Sequence, residues 1–307
     1  MIENHNLTKL EHKSFEEALN NDFGLEIKKT EQVIQGYSNQ VYKGNLNGED
    51  VFIRTNKDPN IFDVEVAGYK IFDQQGIPVP KIIAYIANPR SIGYPTMILS
   101  SAEGVALSKV NISPEQNDTI YEKAGKLVKT INETKLDGFG SLKVVNEKIV
   151  GDFSTWEEYC ESQNKRNNLN LKFCLDNNFV TKDESKKIIN IFKEISLLNF
   201  GKASLTHRDI HKNHVFVKGD EITGIIDLGA LTASDPRYDI ANSLVFQDKR
   251  EQECFKKGYG ELARDPMVNK YLINILIRKI YFRSKDEIKG DVKKLLPMLK
   301  EALGKEL

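Results

Sequence analysis

The sequence offers little with which to build a metal cluster, cross a membrane or grip a nucleic acid. Cysteine occurs only 3 times in 307 residues, as Cys160, Cys174 and Cys254. The spacing is wide and there is no CxxC pair, which argues against a zinc finger or a disulfide scaffold; free thiols in a reducing cytosol are expected. No segment approaches the ~18 continuous apolar residues of a membrane span. Met1 to Phe15 carry no apolar run of signal-peptide length, so a soluble cytoplasmic protein with no membrane partner is expected. Charge of one sign is not in excess either, with 44 Lys plus Arg against 44 Asp plus Glu. Without a basic excess or an aromatic–basic strand motif, nucleic acid is not an expected partner. HExxH and GxxxxGK[ST] are both missing, which argues against a metalloprotease and a P-loop enzyme.

What is present is an ordinary globular composition, 40% hydrophobic and 9% aromatic, with no internal repeat. The length favours two domains or one large bilobal unit. From about Leu25 to Arg54 the pattern is strand-like, with Ile34, Val41 and Val51–Arg54 separated by turn-rich Gly36–Asn39 and Asn45–Gly48. Val64, Ala67, Gly68, Ile71 and Phe72 then recur at helical spacing, and Gly76, Pro78 and Pro80 end that helix. A further strand signal, Tyr94–Leu99, runs into the small polar stretch Ser100–Gly104. Beyond it the periodicity is mainly helical, on faces such as Ile120, Ala124, Leu127, Val128 and Ile131, or Ile188, Ile191, Phe192, Ile195 and Leu198. A last helical region covers roughly Val268 to Leu303. An α+β chain is predicted, with a β-rich N-terminal lobe over 1–103, a hinge at about 99–104 and a helical C-terminal lobe over 104–307.

Between His207 and Asp227 the period switches back to two. Val215 and Val217 alternate, Gly219-Asp220 turns the chain, and Ile222, Ile225 and Ile226 return. A hairpin brings the ends of its strands together, so Asp209 and Asp227 are predicted on one edge, with His214 beginning the first strand. Phosphoryl transfer to a hydroxyl needs a carboxylate that orients the hydroxyl and takes its proton, ligands for a divalent ion, and cations on the phosphates. Two aspartates flanking a hairpin suit the first two of these needs.

The run H-x-D-x-x-x-x-[N/H], followed about eighteen residues after its Asp by Ile225-Ile226-Asp227, resembles the catalytic and metal-binding region of the aminoglycoside phosphotransferase family. Asp235-Pro236-Arg237-Tyr238-Asp239-Ile240-Ala241 resembles that family's D-P-x-x-D-[LIF]-A stretch. Gly36–Asn39 resembles its nucleotide loop, Phe52-Ile53-Arg54 its basic strand, Glu65 its helix glutamate and Gly76–Pro80 its G-[IV]-P-V-P turn. The similarity spans roughly Gln32 to Val245 and implies a bilobal protein-kinase-like fold. It implies transfer of the γ-phosphate of ATP or GTP, with Mg²⁺, to a hydroxyl of an antibiotic such as an aminoglycoside. A macrolide or a metabolite such as a sugar or amino alcohol is the alternative acceptor, and a catalytically silent nucleotide-binding module a second alternative. A protein kinase fits less well, since there is no GxGxxG loop and no A-P-E-like segment.

Carried over residue by residue, the resemblance makes Asp209 the catalytic base or hydroxyl-positioning group. Asp227 becomes the main Mg²⁺ ligand and His214 the second, with His207 bracing the loop. Ser38, Asn39, Arg54, Glu65 and the main chain at Ser100 and Ala102 are implied on the nucleotide. Asp239, Glu157 and Glu158 are candidates for the acceptor, although a helix brace for Asp239 and a solvated helical face for the two glutamates are the commoner roles. His211 and Lys212 read as loop surface. His214 stands where most of the family has Asn. Mg²⁺ prefers oxygen, so a water-mediated contact or a bridge to a carboxylate is open beside direct ligation. The same histidine resembles the 2''-aminoglycoside and macrolide kinase branches, which often use GTP. Arg54 replaces a common Lys and keeps its charge. A monomer or weak homodimer is expected.

Overall fold

The computed structural model describes residues 12–33, 40–56, 58, 61–285 and 289–306. The chain forms two compact units, one of residues 1–103 with 224–229 and one of 104–223 with 230–307. The short segment Gly224–Gly229, which the expected division would leave with the second part, is grouped with the first.

The first unit opens with helix α1 (His12–Phe23), followed by strands β1 (Ile27–Val33), β2 (Gln40–Leu46) and β3 (Glu49–Thr55). Helix α2 (Ile61–Gln74) and strands β4 (Ile82–Ile86) and β5 (Thr96–Ser100) complete it. The strands form one sheet in the order β1-β2-β3-β5-β4, and all its neighbouring pairs are antiparallel. Phe15, Ala18 and Leu19 recur at one face of α1 and bury against Ile27, Val51, Ile53 and Ile98. Each fully buried aliphatic side chain of this kind contributes roughly 1.5–3 kcal/mol. The end of α1 is pinned by Asp22, whose carboxylate accepts the main-chain N–H groups of Arg90, Ser91 and Ile92 at 2.9–3.1 Å. Slight burial works against the Asp22 charge, but those N–H groups outweigh it and hold the carboxyl below its ordinary range.

The second unit contains β6 (Val105–Ala106), α3 (Pro114–Glu133), β7 (Lys135–Leu136), β8 (Phe139–Val145), β9 (Lys148–Phe153), α4 (Trp156–Asp176) and α5 (Lys182–Ser196). There follow β10 (Ala203–Thr206), β11 (Val215–Lys218), β12 (Glu221–Ile225), β13 (Thr232–Ser234), α6 (Pro236–Leu244), α7 (Lys249–Tyr259), α8 (Met267–Lys285) and α9 (Lys289–Gly304). Helices carry most of this unit, as expected. The β-structure goes beyond the one expected hairpin: a five-stranded sheet runs β7-β10-β13-β8-β9 beside a three-stranded one, β12-β11-β6. The region read as one helical stretch from Val268 is two helices, α8 and α9.

Several helix starts are written in the sequence. Ser113 with Gln116, Thr155 with Glu158, Thr181 with Glu184 and Asp248 with Glu251 each close a capping box. Two glycines allow α3 and α7 to approach closely. A Cβ on Gly125 would meet the Phe255 carbonyl oxygen at 2.1 Å, and one on Gly258 would meet that of Glu122 at 1.9 Å.

Candidate active site

The loop carrying Asp209 is held by α6, and the local sequence explains how. Asp235 caps the helix by accepting the N–H of Arg237 at 2.9 Å, and Pro236 takes the first turn, where no N–H is needed. Asp239 and Asn242 then fall three residues apart, on one helix face. The Asp239 carboxylate accepts the main-chain N–H of His207 at 2.8 Å and of Arg208 at 2.7 Å. The Asn242 amide donates to the Arg208 carbonyl at 2.7 Å. From α3, Asn132 donates at 2.9 Å both to Asp239 and to the Leu205 carbonyl, and accepts the Tyr259 hydroxyl at 3.0 Å.

Two histidines finish the loop. His207 is fully buried, and its Nδ1 accepts the N–H of Asp209 at 3.3 Å. His214 Nδ1 lies 2.9 Å from the Asp209 carbonyl oxygen and 3.4 Å from the Asp209 carboxylate. The Asp209 side chain remains 35% exposed, so a tightly held backbone presents an accessible carboxylate. Arg208, just before it, has φ +66°, a left-handed conformation costing a non-glycine residue on the order of 1–3 kcal/mol.

His211 departs from the surface position read for it. Its ring lies against that of His214, tilted by 34° with centroids 3.9 Å apart, and its Nε2 lies 3.7 Å from the Asp209 carboxylate. Its Nδ1 accepts the Asn213 N–H at 3.2 Å, so in the neutral ring Nε2 carries the proton and faces Asp209. Burial first, and the neighbouring His214 next, push the His211 imidazole down to about 4, against the pull of Asp209. Lys212 is exposed, as read.

The three acceptor candidates occupy different surroundings. Asp239 is only 3% exposed and spends both oxygens on the loop, so its place is under Asp209 rather than on an open pocket wall. Glu158 is the reciprocal member of the α4 capping box, accepting the N–H groups of Ser154 and Thr155 at 3.1 Å. Glu157 is exposed on the same first turn, which matches the solvated helical face.

In the first unit, Arg54 on β3 and Glu65 on α2 form a forked ion pair with both side chains buried. Burial works against the Arg54 charge, but Glu65, Tyr69 and Asp227 more than offset it and keep the guanidinium above its ordinary range. Burial also pushes the Glu65 carboxyl upward, with Arg54 opposing. Arg54 Nη2 lies 3.7 Å from an Asp227 oxygen, and the guanidinium stands over the Phe62 ring at 5.5 Å. Asp227 has φ +66° and a side chain 47% exposed. Gly229 leaves room beneath this group: a Cβ there would meet Glu65 at 3.2 Å and Asp227 at 3.5 Å.

For the nucleotide candidates at the strand end, the Ser100 N–H donates to the Lys81 carbonyl and its hydroxyl accepts the Lys81 N–H, both at 2.9 Å. That donor is therefore committed to the sheet and not offered to a purine. The Ala102 carbonyl accepts the Ser101 hydroxyl at 3.3 Å. Ser38 and Asn39 lie outside the described residues.

The donor set bears on which metal fits. Asp227 offers accessible carboxylate oxygen, which suits Mg²⁺. In the second unit His214 offers nitrogen, with Nδ1 turned to the Asp209 carbonyl, a donor that suits Mg²⁺ less well than oxygen does. Asp209, His211 and His214 also cluster with ligand atoms within 4.8 Å of one another, a set better matched to a borderline metal than to Mg²⁺.

Residues 29–267 match the phosphotransferase enzyme family. The chain belongs to that family. This phosphotransferase takes an alcohol group as acceptor and a nucleotide as donor. An aminoglycoside 3'-phosphotransferase of Enterococcus faecalis is 24% identical over 219 residues, which cover 67% of this chain and 74% of that protein. Among solved structures, a thermostable mutant of aminoglycoside phosphotransferase APH(4)-Ia in ternary complex with AMP-PNP and hygromycin B has a TM-score of 0.74. It is 18% identical, with 94% of this phosphotransferase and 97% of that chain covered. The GDP and kanamycin complex of APH(2'')-IIIa has a TM-score of 0.66 at 14% identity, covering 95% and 99%. The fold is thus the kinase-like α+β fold of the aminoglycoside phosphotransferases. No helix among the described residues is long and apolar enough to cross a membrane.

Arg208, His211, Asn132 and Asn242 were missed from sequence. Only Asn242 left a signal, as a polar side chain one helical turn beyond Asp239.

Proposed function

We propose that this phosphotransferase moves the γ-phosphate of ATP or GTP to a hydroxyl of a small molecule, with Asp209 as the group that orients the hydroxyl and takes its proton. The observation that carries this reading is the loop itself. Asp239, Asn242, His207 and His214 fix the backbone on both sides of Asp209, while its carboxylate stays accessible. Holding a reacting group in one geometry is where most of the rate in such a reaction comes from. His214, against the Asp209 carbonyl and carboxylate, would keep that side chain turned to the acceptor.

Arg54, held by Glu65, would bind phosphate oxygens of the nucleotide, and its guanidinium fork suits two of them. Asp227 would hold Mg²⁺, which when bound neutralises charge on the phosphates. The relatives named above suggest an aminoglycoside acceptor. A second reading, a metabolite alcohol that is not a polycation, is favoured by the arginines that line the cavity beside Tyr238 and would repel an amine-rich antibiotic. A screen for acceptor-dependent nucleotide consumption, with ATP and GTP in parallel, covers aminoglycosides, macrolides and small hydroxylated metabolites. Turnover of one class fixes the acceptor. Nucleotide-dependent stabilisation with no turnover across the panel would favour a silent binding module instead.

A further inference from the structure

The reaction proposed above leaves a second group of cations unused. Arg166 on α4, Arg208 in the loop and Arg278 on α8 line one cavity of about 50 Å³, together with Trp156, Tyr159 and Tyr238. Among the described residues none of the three arginines makes an ion pair with a carboxylate. Their partners are neutral groups. Arg208 donates to the Tyr159 hydroxyl at 3.0 Å and lies 3.9 Å above the centre of the Tyr238 ring. Arg278 donates to the Tyr238 hydroxyl at 3.2 Å, and Arg166 donates to the Gln163 side-chain oxygen. By contrast, Arg54 is matched to Glu65, and Arg237 to Asp235 and Asp265.

Three like charges around one cavity, with no acid among them, repel one another, and the Arg208 charge is held against its own burial by the Tyr238 and Tyr159 phenols. The effect reaches the side chains. Partial burial and the nearby Arg278 and Arg208 lower the Arg166 guanidinium. Burial pushes the Tyr238 phenol up, yet Arg208 and Arg278 override it and bring it down to about 8. The backbone points the same way, since Arg208 keeps its long side chain at a left-handed position that favours glycine.

We propose that this cavity binds an acidic group, a carboxylate or a phosphate, of a small molecule. Guanidinium forks match both groups. A cavity of about 50 Å³ has room for one such group or a few waters, so the rest of the ligand lies outside it, past the exposed Arg166. The acid comes either from the phosphoryl acceptor itself or from a separate phosphate-type anion. Only the first source rests on the phosphotransferase reading.

The test is calorimetric titration of the full chain with inorganic phosphate, and in parallel with acetate, at constant ionic strength. The wild type is expected to bind phosphate at a saturable site. Arg166→Gln and Arg278→Gln are each expected to weaken that binding about tenfold, the worth of one charge-assisted hydrogen bond. Arg250→Gln, at an exposed arginine already paired with Asp118, serves as the control and is expected to bind as wild type does. Arg166 is exposed, so its replacement keeps the fold even if Arg278→Gln does not. No saturable binding of either anion, or equal binding in wild type and Arg166→Gln, overturns the proposal. With an acceptor from the screen, a raised KM and unchanged kcat in Arg166→Gln assigns the acid to the acceptor, whereas an unchanged KM assigns it to a separate anion; both support the site. Phosphate binding in a chain that phosphorylates nothing would overturn the reaction and leave this site standing.

Discussion

Asp239 accepts the main-chain N–H of Arg208 at 2.7 Å, one residue before the Asp209 carboxylate. Its other oxygen serves His207 and Asn132, so one buried carboxylate satisfies three donors. Asp239→Ala leaves those donors without their acceptor, each at roughly 1–3 kcal/mol. The expected result is a stability loss of about 3 kcal/mol or more in denaturant unfolding, and a kcat that falls far more than the KM for nucleotide rises. Stability within about 1 kcal/mol of wild type would mean that the loop is held by something else.

Glu65→Gln tests the ion pair of the first unit. The change leaves the Arg54 guanidinium buried against a neutral amide, with Asp227 at 3.7 Å as its remaining acid. Breaking a buried pair in this way costs about 3–5 kcal/mol. The unfolding midpoint should fall accordingly and the KM for nucleotide should rise. An unchanged KM would separate Arg54 from the phosphates.

His211 gives the fold a pH dependence of defined sign. Folded, it holds off protonation until about pH 4, because of burial first, then His214, Lys279 and His207, with Asp209 opposing. Unfolded, it titrates near its ordinary value of about 6.5. Between those limits the unfolded chain binds a proton that the folded chain does not, so this residue makes stability fall as pH drops through that window and adds no slope above it. His211→Asn is expected to flatten the dependence of the unfolding midpoint on pH between about 6.5 and 4. An identical slope in the variant would show that His211 is not the titrating group.

Gly258→Ala tests the contact of α3 with α7. The added methyl would meet the Glu122 carbonyl oxygen at 1.9 Å, and backbone cannot give way as a side chain can. A loss of at least about 1–3 kcal/mol is expected from the overpacking. Wild-type stability would mean that the helices cross farther apart than described.

Much of this was legible in the sequence because it is local. The periodicity that predicts a helix through Val64 and Phe72 is the α2 that carries Glu65, and Gly219-Asp220 turns the hairpin of β11 and β12. The order Asp235, Pro236, Asp239 is a helix start with a carboxylate one turn in. What the sequence hid depends on contacts between distant residues. The strands β8, β10 and β13 are short or irregular and become a sheet only by pairing residues far apart in sequence, as Ala233 does with Gly140 and Ser204 with Ser234. Asp239 could not be told from an acceptor ligand until its burial was known, and Glu158 could not be told from one until its reciprocal bond with Thr155 was seen. His211 looked like loop surface because nothing in a linear run foretells that the turn at His211–His214 brings the two rings into contact.

The central claim is that the Asp209 carboxylate serves phosphoryl transfer to a hydroxyl. Its most direct test is ³¹P NMR of the product formed from ATP or GTP and the acceptor found in the screen, comparing wild type with Asp209→Asn. The substitution keeps the side-chain shape and removes the charge. The expected result is a new phosphomonoester signal with wild type, its rate reduced by at least about 100-fold in Asp209→Asn at unchanged nucleotide affinity. A phosphomonoester formed at comparable rates by both proteins would contradict the account.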